Sequence, residues 1–319
     1  MNNNNIATAT PTESKKPTQR NQHLNLARVE WHDDFFTKLR DIESECNQYA
    51  EHFRGKHVLC PCDAPGSHFL KYFEQNFDEF GLASLTGIGF RLHRHGVKYV
   101  KHPNELPQIT SLSFDGDFRS REGLIAIDQA DIIVSNPPFS QFRYFVENIV
   151  RYEKKFLILG SLPTIVTKEI RNFIKTRQMW FGYSECSAMD FAIPEHYKKY
   201  ARIEKNADGT TTKIARVPAI CWLTNLPVDK VLGHQLTVSY NPGIHKKYDK
   251  PIDVDAIEVA KLRLIPRDFY GIMSVPISFL LKWDPQQFEV LGFSHGDYTR
   301  AVLKIDGKKT FKRVFIRRR

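Results

Sequence analysis

The chain has 319 residues, a mass of 37.0 kDa, a formal net charge of +10 and a pI near 9.3. That length holds a core of roughly 200 residues plus an appendage, and that charge favours a polyanionic partner, either nucleic acid or an anionic surface. No apolar run approaches the ~18 residues of a membrane span, no apolar signal core opens the chain, and five scattered cysteines (Cys46, Cys60, Cys62, Cys186, Cys221) suit reduced thiols, so a soluble, cytoplasmic protein is expected.

Residues 1–28 are polar and nearly free of large side chains, and a disordered tail is expected there. "WHDDFFTKLRDIESECNQYAEHF" places Phe36, Leu39, Ile42 and Tyr49 near one helical face and predicts an amphipathic helix. In "KHVLCPCDAPGSHFLKYFEQNF", Val58 and Leu59 read as a short strand, "CDAPGS" as a turn and the remainder as a helix. "LASLTGIGF" reads as a second strand, "ADIIVSN" as a third, "QFRYFVENIVRY" as a helix and "KKFLILGS" as a fourth strand. Strands alternating with helices predict a doubly wound α/β fold with a mostly parallel sheet, covered on both faces.

In such sheets ligands sit beyond the carboxyl ends of the strands. The third strand ends there in Asn136-Pro137-Pro138-Phe139. Prolines have fixed φ and no amide donor, so the carbonyls of Asn136 and Pro137 can be held rigidly as acceptors, with the Asn136 side chain adding another. An exocyclic amine donating to two such oxygens is drawn out of conjugation with its ring, and Phe139 can stack on that ring. The tetrapeptide resembles motif IV of S-adenosylmethionine-dependent amino-methyltransferases.

Earlier segments carry further resemblances in the matching order. The first turn, with Cys60, Cys62, Asp63, Ala64, Pro65 and Gly66, is similar to the cofactor-binding motif I, where Gly66 permits close backbone approach and the next helix start favours a carboxylate. Cys60 stands where many relatives have an acid. Read as a metal or redox pair, Cys60-Pro-Cys62 lacks a second Cys or His pair at zinc spacing. Asp117 and Phe118 resemble motif III, in which a carboxylate accepts from the cofactor adenine amine and an aromatic packs on that ring; the plain alternative is a surface Asp-Gly turn. Phe36 and Thr37 resemble motif X, which closes over the cofactor. No acid ends the second strand, so the ribose ligand stays unassigned.

From about Trp31 to the carboxyl terminus, segments such as "YAEHFRGKHVLCPCDAPGSHFLKYFEQNFD", "NPPFSQFRYF" and "VPISFLLKWDPQQFEVLGF" resemble the EcoRI-type adenine-specific DNA methyltransferase family. The resemblance implies an S-adenosylmethionine methyltransferase core over residues 29–228 and a target-recognition extension over 229–319. It also implies methyl transfer to N6 of an adenine extruded from double-stranded DNA, and a cognate restriction endonuclease acting separately; one basic face and a single motif set suit a monomer, and DNA binding would place it with the nucleoid. RNA adenines, protein glutamine amides, or DNA binding by an inactive core are the alternatives.

The basic stretch "AVLKIDGKKTFKRVFIRRR" reads as a hairpin of two alternating runs about "DGKK", a phosphate-gripping ribbon carrying Lys308, Lys309, Lys312, Arg313, Arg317 and Arg318. Within the extension, His245, Lys246, Lys247 and Arg267 are candidates for contact with bases.

Overall fold

A computed structural model describes residues 35–319 except 166, 196, 198–199, 207, 231, 250–253, 295–296 and 298–302. The expected tail over 1–28 lies outside the described residues. The amino-terminal part runs β1 (Phe36–Thr37), α1 (Leu39–Cys46), α2 (Ala50–Phe53), β2 (His57–Cys60), α3 (His68–Gln75), α4 (Phe77–Phe80), β3 (Ser84–Gly89), β4 (Val97–Lys101) and β5 (Gln108–Ser111). It continues with α5 (Arg121–Gln129), β6 (Ile132–Ser135), α6 (Phe142–Arg151), β7 (Lys155–Ser161), α7 (Lys168–Lys175), β8 (Trp180–Phe181), β9 (Ser187–Ile193), β10 (Arg202–Lys205) and β11 (Thr211–Thr224).

These strands form one 11-stranded sheet in the order β1-β9-β11-β7-β6-β2-β3-β4-β5, with β8 and β10 also paired to β11. The fold is α/β, but the sheet is parallel only across β3, β2, β6 and β7. The expectation of a mostly parallel sheet is thus corrected. The β3-β4 connection is a hairpin with no crossover helix, and the 14-residue β11 runs antiparallel to both β7 and β9.

The parallel centre is buried on both faces, as alternation requires. Leu59, Ile133, Phe156 and Ile158 pack with Ile127 of α5 and Phe142, Phe145 and Ile149 of α6. Val58, Cys60, Val134, Leu157 and Leu159 pack on the other face with Ile42, Phe53, Phe69, Tyr72 and Phe73. Helix α6 supplies its side through Phe142, Phe145, Val146 and Ile149, an i, i+3, i+4, i+7 stripe. Helix α3 begins where the Ser67 hydroxyl accepts the Leu70 amide at 3.2 Å. The helix predicted to include Phe36 starts later, at Leu39, because Phe36 and Thr37 pair with Ala192 and Phe191.

The chain then forms β12 (Ala256–Glu258), β13 (Ile272–Pro276), β14 (Phe288–Phe293), β15 (Lys304–Ile305), β16 (Lys308–Lys309) and β17 (Arg313–Arg318). Four of these strands make a second sheet, ordered β12-β13-β17-β14. Its Met273, Val275, Phe288, Val314 and Ile316 join the apolar cluster that holds Phe145 and Ile174. The basic segment is therefore not one hairpin. Only β15 and β16 pair about Asp306-Gly307, while β17 lies inside the second sheet, because Val314, Phe315 and Ile316 are fully buried there.

The cysteines also depart from expectation. Ser187 and Ile220 are register partners, which brings the adjoining Cys186 and Cys221 to a Cα separation of 4.4 Å, and the two form a disulfide. Cys46, Cys60 and Cys62 are free thiols. Among the described residues no helix is long and apolar enough to cross a membrane.

Candidate functional site

From β2 the chain passes to β3 on one side and later returns as β6 on the other. The crevice between such strands, beyond their carboxyl ends, is where open α/β sheets bind ligands. Three segments converge on it: the turn after β2, the Asn136–Phe139 stretch after β6, and residues 35–37.

The turn after β2 is held tightly against β3. A Cβ at Gly87 would come within 2.5 Å of the Leu70 side chain and 3.0 Å of the Asp63 carbonyl, and one at Gly89 within 2.6 Å of the Ala64 Cβ. Gly66 takes φ +89° with open space beside it, so backbone is presented there without a side chain. Across the crevice, Thr37 and His68 are joined: His68 Nδ1 lies 2.7 Å from the Thr37 carbonyl, which can only accept. The Asn136 Nδ2 donates to the Phe35 carbonyl at 2.6 Å.

A cavity of about 70 Å³ results, lined by Phe35, Phe36, Thr37, Cys62, Asp63, Ser67, His68, Phe69, Asn136 and Pro138. Two buried side-chain oxygens at its wall, Thr37 Oγ1 and Asn136 Oδ1, have no hydrogen-bond partner among the described residues. An unsatisfied buried polar group costs about 1–3 kcal/mol, so such atoms mark places where a ligand group is accommodated. Pockets for whole small molecules run to about 300–1,000 Å³; this cavity has the size of one polar end of such a ligand.

Asp63 is the charged member. Burial pushes its carboxyl up to about 7, against hydrogen bonds from Ser67 and Ser135 that favour the anion. The Ser135 hydroxyl donates to Asp63 Oδ2 at 3.3 Å. Burial, then the neighbouring Asp63 carboxylate, raises the pKa of Cys62, which keeps it a protonated, unreactive thiol.

The structure thus gathers Phe36, Thr37, Cys62, Asp63, Asn136 and Pro138 around one cavity, with Ala64, Pro65 and Gly66 forming the turn beside it. Pro137 is buried, and the half-buried Phe139 packs against Phe35 and Phe191 at ring-centroid distances of 5.6 and 6.1 Å. Cys60 is corrected: it is fully buried beside Val58 in the apolar cluster that also holds Phe35 and Phe69, and it does not line this cavity. Phe118 is likewise a core residue, edge-on to Phe145 at 5.1 Å. Asp117 lies outside the cavity wall. Its oxygens accept from Arg119 Nε and Nη2, and Arg119 Nη1 donates to Gln141 Oε1 at 3.1 Å. Burial opposes ionisation of Asp117, but the Arg119 guanidinium and amide together hold its carboxyl below the usual range.

Sequence reading missed Phe35, Ser67, His68 and Ser135 as wall or support residues. Ser67 was legible as a helix cap before the apolar "HFLKYF" run. Phe35 was not, since its role is a backbone carbonyl.

The basic candidates separate. Lys308 and Lys309 are exposed on β16, and Lys312 reaches the Pro163 carbonyl at 3.5 Å, just past the carboxyl end of β7. Arg313 is buried and donates to Glu258 Oε1 through Nε at 2.8 Å and Nη2 at 2.6 Å, so it is a structural ion pair. Arg317 pairs with Glu289, and Arg318 lies over the Tyr270 ring at 5.2 Å. In the extension, His245 is buried with Nε2 at 2.8 Å from the Leu264 carbonyl, while Lys246 pairs with Asp306 and Lys247 with Asp255.

Comparison with known proteins bears on the whole chain. The family described as "Adenine-specific methyltransferase EcoRI" matches residues 23–105 and 96–318. The Type II methyltransferase M.EcoRI of Escherichia coli is 37% identical over 321 residues, covering 93% of this chain and 96% of that protein. The Type II methyltransferases M.MgeORF184P of Mycoplasma genitalium and M.MpnI of Mycoplasma pneumoniae are each 32% identical, covering 93% of this chain and 98% of their own. No solved structure matches the chain. Because the matched residues include every segment that walls the cavity, and relatives of this identity align from end to end, the chain belongs to the EcoRI family of adenine-specific methyltransferases.

Proposed function

We propose that the protein transfers a methyl group from S-adenosylmethionine to N6 of a specific adenine in double-stranded DNA, as the modification member of a restriction-modification pair. Three Type II methyltransferases among its relatives support the setting. The observation that carries the chemistry is the unpartnered Oδ1 of Asn136 at the cavity wall. An adenine amine donating to it has its nitrogen lone pair drawn out of the ring and made available as a nucleophile. The acceptor is fixed beforehand by the bond to Phe35, so no reorganisation is required during the reaction.

The residues present fit the cofactor. Asp63 would take the ammonium of its methionine end, the Gly66 turn and the start of α3 its carboxylate, and Thr37 Oγ1 a further donor. When bound, the cofactor supplies a methyl group on a sulfonium. In this reading the parallel centre is an S-adenosylmethionine-binding core of Rossmann-like type, residues 229–319 read the target, and Lys308, Lys309 and Lys312 contact phosphates. The adenine must leave the stack, at a cost of a few kcal/mol. The protein acts as a monomer, with the cognate endonuclease a separate chain.

The test is incubation of the purified protein with mixed-sequence duplex DNA and labelled cofactor, followed by mapping of modified bases. N6-methyladenine at one recurring short sequence is expected. Label on cytosine, or no label on DNA while a parallel incubation with RNA is labelled, overturns the reading.

A further inference from the structure

We propose that the turn joining β3 to β4 holds the duplex open around the extruded adenine, with Leu92 entering the stack as an apolar wedge and Arg91 and Arg94 gripping the flanking phosphates. This deepens the function proposed above and rests on it. The turn leaves the carboxyl end of β3, two strand spacings from β6, which is roughly 10 Å. It therefore rises from the same end of the sheet as Asn136, displaced to one side. That is where the stack must part if a base is to swing over β2 and β6.

The turn is rigid at its base and presented at its tip. The Arg91 amide donates to the Asp115 carbonyl at 2.8 Å and the Gly96 amide to the Phe114 carbonyl at 2.7 Å, tying the turn to the strand-like stretch beside it. Gly96 and Gly116 are back to back, since a Cβ on the first would lie 2.6 Å from the Cα of the second, and a Cβ on Gly116 would lie 2.5 Å from the Gly89 carbonyl. The Arg94 amide closes on the Arg91 carbonyl at 3.2 Å, with His93 at φ 57°, so Leu92 and His93 form the corner. Leu92 is 44% exposed there. An isolated surface leucine needs no explanation, but Phe90 and Phe114, on the same paired stretches, are exposed as well, at 47% and 58%.

Charge points to a polyanion. Arg91 and Arg94 are exposed and form no ion pair among the described residues, whereas nearby acids are already engaged by neighbours in the fold. Asp115 accepts the Asp117 amide, Glu122 accepts the Ser113 and Phe114 amides, and Asp117 holds Arg119. An apolar side chain flanked by guanidinium groups is the means by which proteins unstack and hold a base step.

The test uses the full chain and duplex carrying 2-aminopurine in place of the mapped target adenine. Leu92→Ala is expected to lower the fluorescence rise on binding by at least about threefold, since extrusion loses its support. Leu92→Met should restore it, and S-adenosylmethionine binding should be unchanged in both variants, which also reports an intact fold. Arg91→Gln combined with Arg94→Gln should reduce the slope of log affinity against log salt by about two units. A wild-type fluorescence rise in Leu92→Ala overturns the wedge, and an unchanged slope overturns the grip. If the wild-type protein leaves adenine unmethylated, the proposed function fails first, and the salt slope still decides whether this turn contacts duplex.

Discussion

Asn136 donates its amide hydrogen to the main-chain carbonyl of Phe35 at 2.6 Å, across 101 positions of sequence. A carbonyl only accepts, so this bond orients the side chain and assigns Oδ1 to the cavity. One contact thereby fixes both the position and the polarity of the reactive corner.

Asn136→Ala removes that acceptor and is expected to cut turnover by roughly 10²-fold or more, the usual cost of one preorganised polar group. Binding of DNA and S-adenosylmethionine should change little. Single-turnover kinetics beside equilibrium titrations check this; near wild-type turnover would remove Asn136 from the chemistry.

Asp63→Asn should separate stability from function. Burial raises the native carboxyl to about 7 from an ordinary 3.8. Below about pH 4 both folded and unfolded chains carry the proton, and stability is complete with respect to this group. Between about pH 4 and 7 only the unfolded chain is ionised, so stability falls across that window, by at most about 4 kcal/mol at 1.4 kcal/mol per pKa unit, and above 7 the loss is complete. The Asn variant is therefore expected to unfold at higher temperature than wild type at pH 8 and at the same temperature at pH 4. Wild-type affinity for S-adenosylmethionine should rise as pH passes 7, with the variant weaker and flat. Melting curves and titrations at the two pH values suffice.

Gly89→Ala places a methyl group 2.6 Å from the Ala64 Cβ. Overpacking of this kind costs about 1–3 kcal/mol, and because the turn moves more easily than the strand, weaker cofactor binding by roughly tenfold is expected. Calorimetric titration with S-adenosylmethionine would detect it. Unchanged affinity would show that the turn position is immaterial.

Arg313→Met leaves the buried Glu258 carboxylate without its cation and should destabilise the fold by about 3–5 kcal/mol. Adding Glu258→Leu should recover most of that loss. Urea unfolding of both variants measures it, and a single variant as stable as wild type would contradict a structural role for the pair.

The parallel centre was readable because its information is local: short apolar runs fill β6 and β7, Ser67 caps α3, and Asn-Pro-Pro ends β6 abruptly. What escaped was non-local. Phe36 and Thr37 carry an apolar spacing that suits a helix, yet pairing with β9 makes them a strand. "KRVFIRRR" has the alternation of a basic ribbon, but its apolar side chains face a core from distant segments and Arg313 answers an acid 55 residues earlier. Cys60 adjoins the turn in sequence, while its place on β2 seats the thiol in the apolar core with Val58. The absence of a crossover helix between β3 and β4 was equally hidden, since nothing in "RLHRHG" declares the length of the connection.

The position of β17 between β13 and β14 has a consequence for how the second sheet assembles. Strands β13 and β14 each bond to β17 and not to one another. Until β17 docks, their facing backbone groups lack partners and are open to other chains. Closure of this sheet thus waits on a single strand, and loss of that strand would leave a gap at its centre.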